Sequence, residues 1–307
     1  MLDPTLSAFL DDHVQWLEAR GYAPTTARAR HRQVSRFLEW AAQRDIPSIE
    51  HYSLPIIEDF RLHLHQRRKR DGTPLGWGSK VQMLLAIKGF FRWLTLTRRI
   101  PSNPAADIEL PRRQHPLPRD ILSQVEVEAV LRQPDVSRIL GLRDRTIMEL
   151  LYSTGIRRAE CGDLMIRDLD LNRLVLLVRN GKGARDRYVP IGRRAAGWVE
   201  RYLREAGPKL VRPPDGGHLF LSRLRRPLSL KRISGLVRSH ISRAGIGKTG
   251  SCHLFRHTVA TLMLEGGADI RHLQELLGHT QLSTTALYAR VSIRLLQDVH
   301  RKTHPAG

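Results

Sequence analysis

The chain has 307 residues, enough for two domains at roughly 100–200 residues each, and 41% hydrophobic residues to fill their cores. Fifty-one Lys and Arg against 30 Asp and Glu leave a net charge of +21. That field draws polyanions, nucleic acid first among them, the blander alternative being a ribosome-like or membrane-surface protein with a generic basic face.

In chain order, residues 5–20 place Leu6, Phe9, Leu10, Val14 and Leu17 at helical spacing, and Gly21 is a stop. A second helix follows Pro24, with Val34, Phe37, Leu38 and Trp40 on one side and Arg28, Arg30, Arg32 and Arg36 on the other. A third covers about 54–70 and runs into QRRKRDGTPLG. A fourth runs from about 78 to 99, with Val81, Leu84, Leu85, Ile87, Phe91 and Leu94 expected to be buried. Residues 1–110 therefore read as a four-helix unit. The segment 100–120 holds five prolines without periodicity and reads as a linker, with 111–120 as the link proper.

The second part, 121–307, reads as mostly helical, with helices at about 123–133, 139–153, 192–206, 229–244, 253–265, 270–277, 284–290 and 292–302. Its one strong β signal is RLVLLVRNGKGARDRYVPI, two apolar or alternating runs around a glycine-rich turn. The expected fold class is mainly α: a four-helix N-terminal unit, then a mostly helical domain with a small antiparallel β-sheet.

Charge is unevenly divided. Residues 1–112 hold 17 basic and 12 acidic side chains, whereas residues 113–307 hold 34 and 18, so the second part should grip phosphate harder. Cys161 and Cys252 show no metal-type spacing and suggest no disulfide framework, which fits a reducing cytoplasm. No run approaches the ~18 apolar residues of a membrane span. Asp3, Asp11 and Asp12 stand where a leader peptide would be basic. A cytoplasmic, nucleoid-associated protein without a membrane role is the expectation.

Four segments could carry chemistry. In YSTGIRRAEC, Gly155 allows a tight bend before Arg157, and Glu160 stands three residues on, placed to hold its guanidinium. The alternative is a solvated Arg–Glu pair at a helical corner, with Arg158 a solvent or backbone contact. In NGKG, Lys182, one of only eight lysines, sits at a hairpin tip, where it could reach a DNA groove and donate a proton, or be a plain turn lysine. In CHLFRHTVATLMLEGG, Ser251 is an N-cap, and His253 and Arg256 share a face near a helix N-terminus that favours anions. Leu254, Val259, Leu262 and Met263 are expected to be its buried side. A surface His and Arg on a basic helix is the alternative, and His257 is a rival to His253. In LLGHTQLSTTALYARV, Leu276, Leu277, Leu282 and Leu287 look like core and Gly278 looks like a helix stop. That leaves His279 just past the stop and Tyr288 one turn into the following helix.

Together these segments resemble the tyrosine recombinase (phage integrase) family, most closely its Xer-like branch. The resemblance rests on TGIRRAE, VRNGKGARDRYVPI, HLFRHTVATLMLEGGADI, LQELLGHTQLSTTALYARV and the terminal DVHRKTHP, in that order. It covers the second domain densely. The first agrees more loosely, through its helical pattern and FFRWLTLTRRIPSNPA, and by the resemblance is a SAM-like core-binding domain. The family's optional arm-site domain is not expected, because the helical pattern starts near residue 5.

By matching position, the family's catalytic set falls on Arg157, Lys182, His253, Arg256, His279 and Tyr288, with Glu160 behind the first arginine. The implied reaction is site-specific recombination of double-stranded DNA through a 3′-phosphotyrosine at Tyr288 and a Holliday junction. Neither metal nor ATP is required, since the bond energy is kept in the protein–DNA link. The implied assembly is a homo-tetramer on synapsed sites, or a hetero-tetramer with a related recombinase, with 292–307 docking on a neighbouring subunit or packing in cis. The two domains are expected to clamp the duplex. Other readings are a catalytically inactive DNA-binding protein and a type IB topoisomerase.

Overall fold

The computed structural model describes residues 4–46, 48–111, 121–179, 186–210 and 216–279. By its internal contacts the chain divides into two compact units, Met1–His115 and Pro116–Gly307.

The first unit is built on α1 (Pro4–Ala19), α2 (Pro24–Ala42), α3 (Leu54–Gln66) and α4 (Trp77–Leu96). Leu6, Leu10, Leu17, Val34, Phe37, Ile57, Phe60, Leu84, Phe90 and Phe91 form its core, and the arginines of α2 face outward or lie half-buried. After α1, Gly21 takes a left-handed φ of +77°, the conformation that glycine reaches without a Cβ penalty.

Three expectations change here. Helix α3 ends at Gln66 rather than near 70, because Arg68 bridges Pro74 across a turn closed by Gly72 at φ +76°. Four consecutive basic residues in a continued helix would also stack like charges on adjoining turns. In α4, Leu85 is 42% exposed, while Phe90 and Trp93 are buried. At about 100° per residue Leu85 points nearly opposite to Ile87, so both cannot face one core. Finally, the proline-rich stretch does not begin as a free linker. Ile100, Ala105 and Ile108 enter the core of the first unit. Lys88 Nζ donates to Ala106 O at 2.6 Å, and Trp77 Nε1 donates to Pro111 O at 2.9 Å. Proline prevents a helix there without preventing packing.

In the second unit α5 (Gln124–Leu131), α6 (Ile139–Thr154) and a short α7 (Arg158–Asp163) precede a three-stranded antiparallel sheet. Its strands are β1 (Leu169–Asp170), β2 (Val175–Val178) and β3 (Arg187–Pro190), with Val178 opposite Arg187. Helices α8 (Arg193–Glu205), α9 (Gly207–Leu210), α10 (Leu230–Arg243), α11 (Cys252–Glu265) and α12 (Ile270–Leu277) complete the described part. The hairpin was legible in sequence, but β1, α7 and α9 are additions. The tip of the hairpin and the two helices expected after residue 283 lie outside the described residues.

Helix α11 is buried nearly all round: Leu254, Phe255, Arg256, Val259, Ala260 and Leu264 all lie inside. Met263, expected inside, is 37% exposed, and Leu262 is only half-buried. Entry into this unit is tied down at α11, where Thr258 Oγ1 accepts from Leu122 N at 2.9 Å. Lys248 Nζ donates to Ile121 O at 2.7 Å and to Glu126 at 2.6 Å. No helix among the described residues is long and apolar enough to cross a membrane.

One buried group carries a cost. His13 is 1% exposed, ringed by Trp16, Phe90 and Trp93, and neither ring nitrogen has a hydrogen-bond partner. Burial, with Arg30 and His31 adding like charge, lowers its pKa from 6.5 to about 4. The folded unit therefore disfavours protonation. Its stability is full above the ordinary histidine pKa and is lost as pH falls from about 6.5 toward 4, by up to about 3 kcal/mol. His13→Phe should flatten that slope in thermal melts taken from pH 7 to 4; an unchanged slope would place the acid sensitivity elsewhere.

Candidate active site

Helix α6 stops at Gly155, whose φ of +61° turns the chain, and Ile156 anchors the turn in the core. Arg157 follows as the N-cap of α7, and its backbone N–H donates to Glu160 at 2.7 Å. Its guanidinium donates to the other Glu160 oxygen at 2.8 Å and to Gly278 O at 2.6 Å. The expected Arg–Glu pair is therefore a partly buried one whose second fork end is aimed at the end of α12. Arg158 departs from expectation, reaching a side chain: it donates to Ser234 Oγ on α10 at 2.7 Å.

Arg256 is only 4% exposed. Its guanidinium donates to Gly155 O at 2.7 Å and to Leu277 O at 2.6 Å, and it meets His279 Nε2 at 2.8 Å. At the end of α12 Gly278 adopts φ +61°, ψ +49°. That left-handed stop presents Leu277 O to one arginine and Gly278 O to the other. Arg157, Arg256 and His279, far apart in sequence, thus converge on one turn.

A guanidinium has no acceptor, so His279 Nε2 must receive the hydrogen bond and the ring proton sits on Nδ1. Burial first, then the positive charges of Arg256, Arg157 and Arg187, lower the His279 pKa to about 4, which keeps the ring neutral.

His253 lies one turn before Arg256 on the exposed strip of α11, with His257 one turn later and half-buried. Burial and the charges of Arg158, Arg256 and Arg157 lower the His253 pKa; burial, His253 and Arg256 lower that of His257. Both rings are held toward their proton-accepting form. Beside them a cleft of about 1600 Å³ opens between α10 and the start of α11, lined by Arg158, Lys231, Arg238, Lys248, His253 and His257. Lys182 and Tyr288 lie outside the described residues.

One residue was missed in the sequence. Arg187, on β3, donates to both Glu160 oxygens at 2.9 and 2.8 Å and to Leu276 O at 3.1 Å. The available signal was parity: Arg187 stands two positions before buried Val189, on the inward face of a strand, where a charge needs a partner. Burial pushes the Glu160 carboxyl up, but hydrogen bonds from Arg187 and Arg157 outweigh it and hold the pKa at about 2. Two arginines share this one carboxylate and Arg256 adds a third cation at the same turn, which leaves a positive cluster suited to an anion.

A basic helical chain with a small antiparallel sheet, whose arginines and imidazole meet at the end of one helix, has the make-up of a tyrosine-type recombinase. The family model of the phage integrase family matches residues 120–294, and the chain belongs to that family. Within it the likeness is to Xer recombinases. Tyrosine recombinase XerC 2 of Ralstonia nicotianae is 44% identical over 301 residues, covering 98% of this chain and 86% of that protein. Tyrosine recombinase XerD of Pseudomonas aeruginosa is 36% identical over 304 residues, covering 99% and 98%. In fold, the chain is similar to the XerH site-specific recombinase bound to a palindromic difH substrate, with a TM-score of 0.73, 22% identity, and coverage of 92% and 80%.

The Gly278 stop is testable by itself. A Cβ there would lie 2.9 Å from Arg187 Cζ, on top of the left-handed penalty of ~1–2 kcal/mol. Gly278→Ala should lower the melting temperature, whereas Gly197→Ala, within α8 and facing open space, should raise it slightly. Equal shifts would show that the αL stop does not matter to stability.

Proposed function

We propose that this protein cuts and rejoins double-stranded DNA at a specific site, with Tyr288 as nucleophile and Arg157, Lys182, His253, Arg256 and His279 as the groups that serve the phosphate. The observation that carries the reading is the meeting of Arg157, Arg256 and His279 on the turn that ends α12, with neutral His253 one helical turn away. The Xer relatives support the same reading.

The chemistry follows from what each group offers. The Tyr288 oxygen forms a bond to phosphorus as the bond to the 5′ oxygen breaks. The phenol proton, with an ordinary pKa near ~10, needs an acceptor, and His253 is kept able to take it. Arg157 and Arg256 present permanently charged forks for the charge that grows on the non-bridging oxygens. Lys182 gives its proton to the departing 5′ oxygen. His279 is first an acceptor from Arg256. A phosphate taking over that guanidinium would release Nε2 and raise the ring's pKa, so the imidazole can donate in turn. Reversal with a different 5′ end exchanges strands by way of a Holliday junction. The reaction calls for neither metal nor nucleotide.

A tetramer on two synapsed sites suits paired strand exchange, either of this chain alone or with a related recombinase, with 292–307 docking on the neighbouring subunit. Its place of action would be the nucleoid in the cytoplasm. An inactive DNA-binding protein or a topoisomerase of the same chemistry is the lesser reading, since the relatives are named recombinases.

Covalent capture tests the proposal. Wild-type protein mixed with sheared, nicked genomic DNA of its host should yield denaturant-resistant adducts that sequence to a common site, and Tyr288→Phe should yield none. Arg256→Ala should slow adduct formation ~10²–10³-fold. A wild type that never links to DNA would refute the enzyme. Affinity for the captured duplex should fall ~10³–10⁵-fold between 50 and 200 mM salt if several phosphates are gripped. A flat response would argue against broad phosphate contact.

A further inference from the structure

The proposed reaction does not account for Arg187. It sits on the β3 side of the hairpin, its side chain is 14% exposed, and it commits its whole fork to the protein. Nη1 and Nη2 grip both oxygens of Glu160, and Nε donates to Leu276 O in the last turn of α12. Its Cζ lies only 2.9 Å from the place a Cβ on residue 278 would take. One planar group therefore joins three segments: the sheet, the α7 turn that carries Arg157, and the α12 stop that carries His279.

Each link matters for a different reason. Glu160 is the carboxylate that orients Arg157, and it has two oxygens to share between two forks. With Arg187 in place the carboxylate cannot rotate, so the Arg157 fork keeps its second end on Gly278 O. Without it, Glu160 could pair face-on with Arg157 and draw that guanidinium back from the phosphate side. The Leu276 carbonyl would also lose a donor, loosening the turn on which Arg256 and His279 meet. Lysine could not substitute, because a point charge reaches one of these partners at a time.

We propose that Arg187 is a positioning residue for strand cleavage, holding Glu160 and the α12 stop together so that Arg157 and His279 face the scissile phosphate, without touching the DNA itself. The proposal rests on the reading given under Proposed function.

The test uses the full chain and the duplex recovered by covalent capture, made with either a normal phosphate or a methylphosphonate at the cleaved position. Methylphosphonate carries no charge and so makes less demand on correctly aimed guanidiniums. Arg187→Met should slow single-turnover adduct formation on phosphate about 10²-fold, the scale of an ~1 Å misplacement, with DNA affinity unchanged. On methylphosphonate the deficit should largely disappear. Arg187→Lys, which keeps the charge, should fold normally and show the same selective deficit in milder form, so the measurement survives if the methionine variant is unstable.

Equal slowing on both substrates would reduce Arg187 to a fold-stabilising residue and overturn the proposal. Loss of affinity in parallel with rate would make it a direct phosphate contact and overturn it too. Wild-type rates in both variants would show the three-way contact to be idle. These outcomes are distinct from a wild type that forms no adduct, which refutes the recombinase reading first.

Discussion

The structure around the site depends on how a buried guanidinium is satisfied. Arg256 is a permanent cation inside the second unit, where an unpaired charge would be costly. It is held by the carbonyls of Gly155 and Leu277, at the C-terminal ends of α6 and α12, which are the negative ends of two helix dipoles. Two helices thus stop against one side chain. Both stops need a left-handed residue, and both have glycine. The positions of these helix ends, the arginine and the glycines are one constraint.

That constraint sets the electrostatics. Dipole ends and a neutral imidazole stabilise Arg256 without cancelling its charge, and Glu160 is divided between Arg157 and Arg187. The cluster keeps a positive excess that a bound anion relieves. Burial first, and then the same excess, lowers the pKa of His279 and His253 and favours their neutral rings, so the arginines rather than the imidazoles carry the charge. A carboxylate placed directly on Arg256 would make the fold easier to form and the anion site weaker.

Where local chemistry decided the outcome, the sequence was legible. Gly155 and Gly278 are helix stops because only glycine reaches their backbone angles cheaply, and the three-residue spacing of Arg157 and Glu160 makes their pairing a local matter. The hairpin followed from two β-prone runs around a glycine-rich turn. Longer-range contacts were not legible. Arg187 meets Glu160 across 27 positions and Leu276 across 89, separations that periodicity does not encode. Ile100 and Ile108 looked like linker because proline removes the helical pattern, although burial needs only apolar side chains and a surface to meet. Leu85 was assigned to the core because α4 is apolar on nearly every face, so that burial there is decided by neighbouring helices rather than by its own sequence.

The positions of the site residues also explain why α11 is buried nearly all round. Of the three arginines only Arg256 lies on α11, with Arg157 at the start of α7 and Arg187 on β3, so their mutual repulsion pushes three elements apart and packing has to resist it. In α11 its own Phe255, Val259, Ala260 and Leu264 bury the helix by apolar contact, Thr258 ties it to Leu122, and Lys248 ties the loop before it to Ile121. Apolar burial is nondirectional and does not depend on the charge state of the cluster. It therefore keeps the arginines in register whether or not an anion is present, so that binding need not also meet the cost of assembling the site.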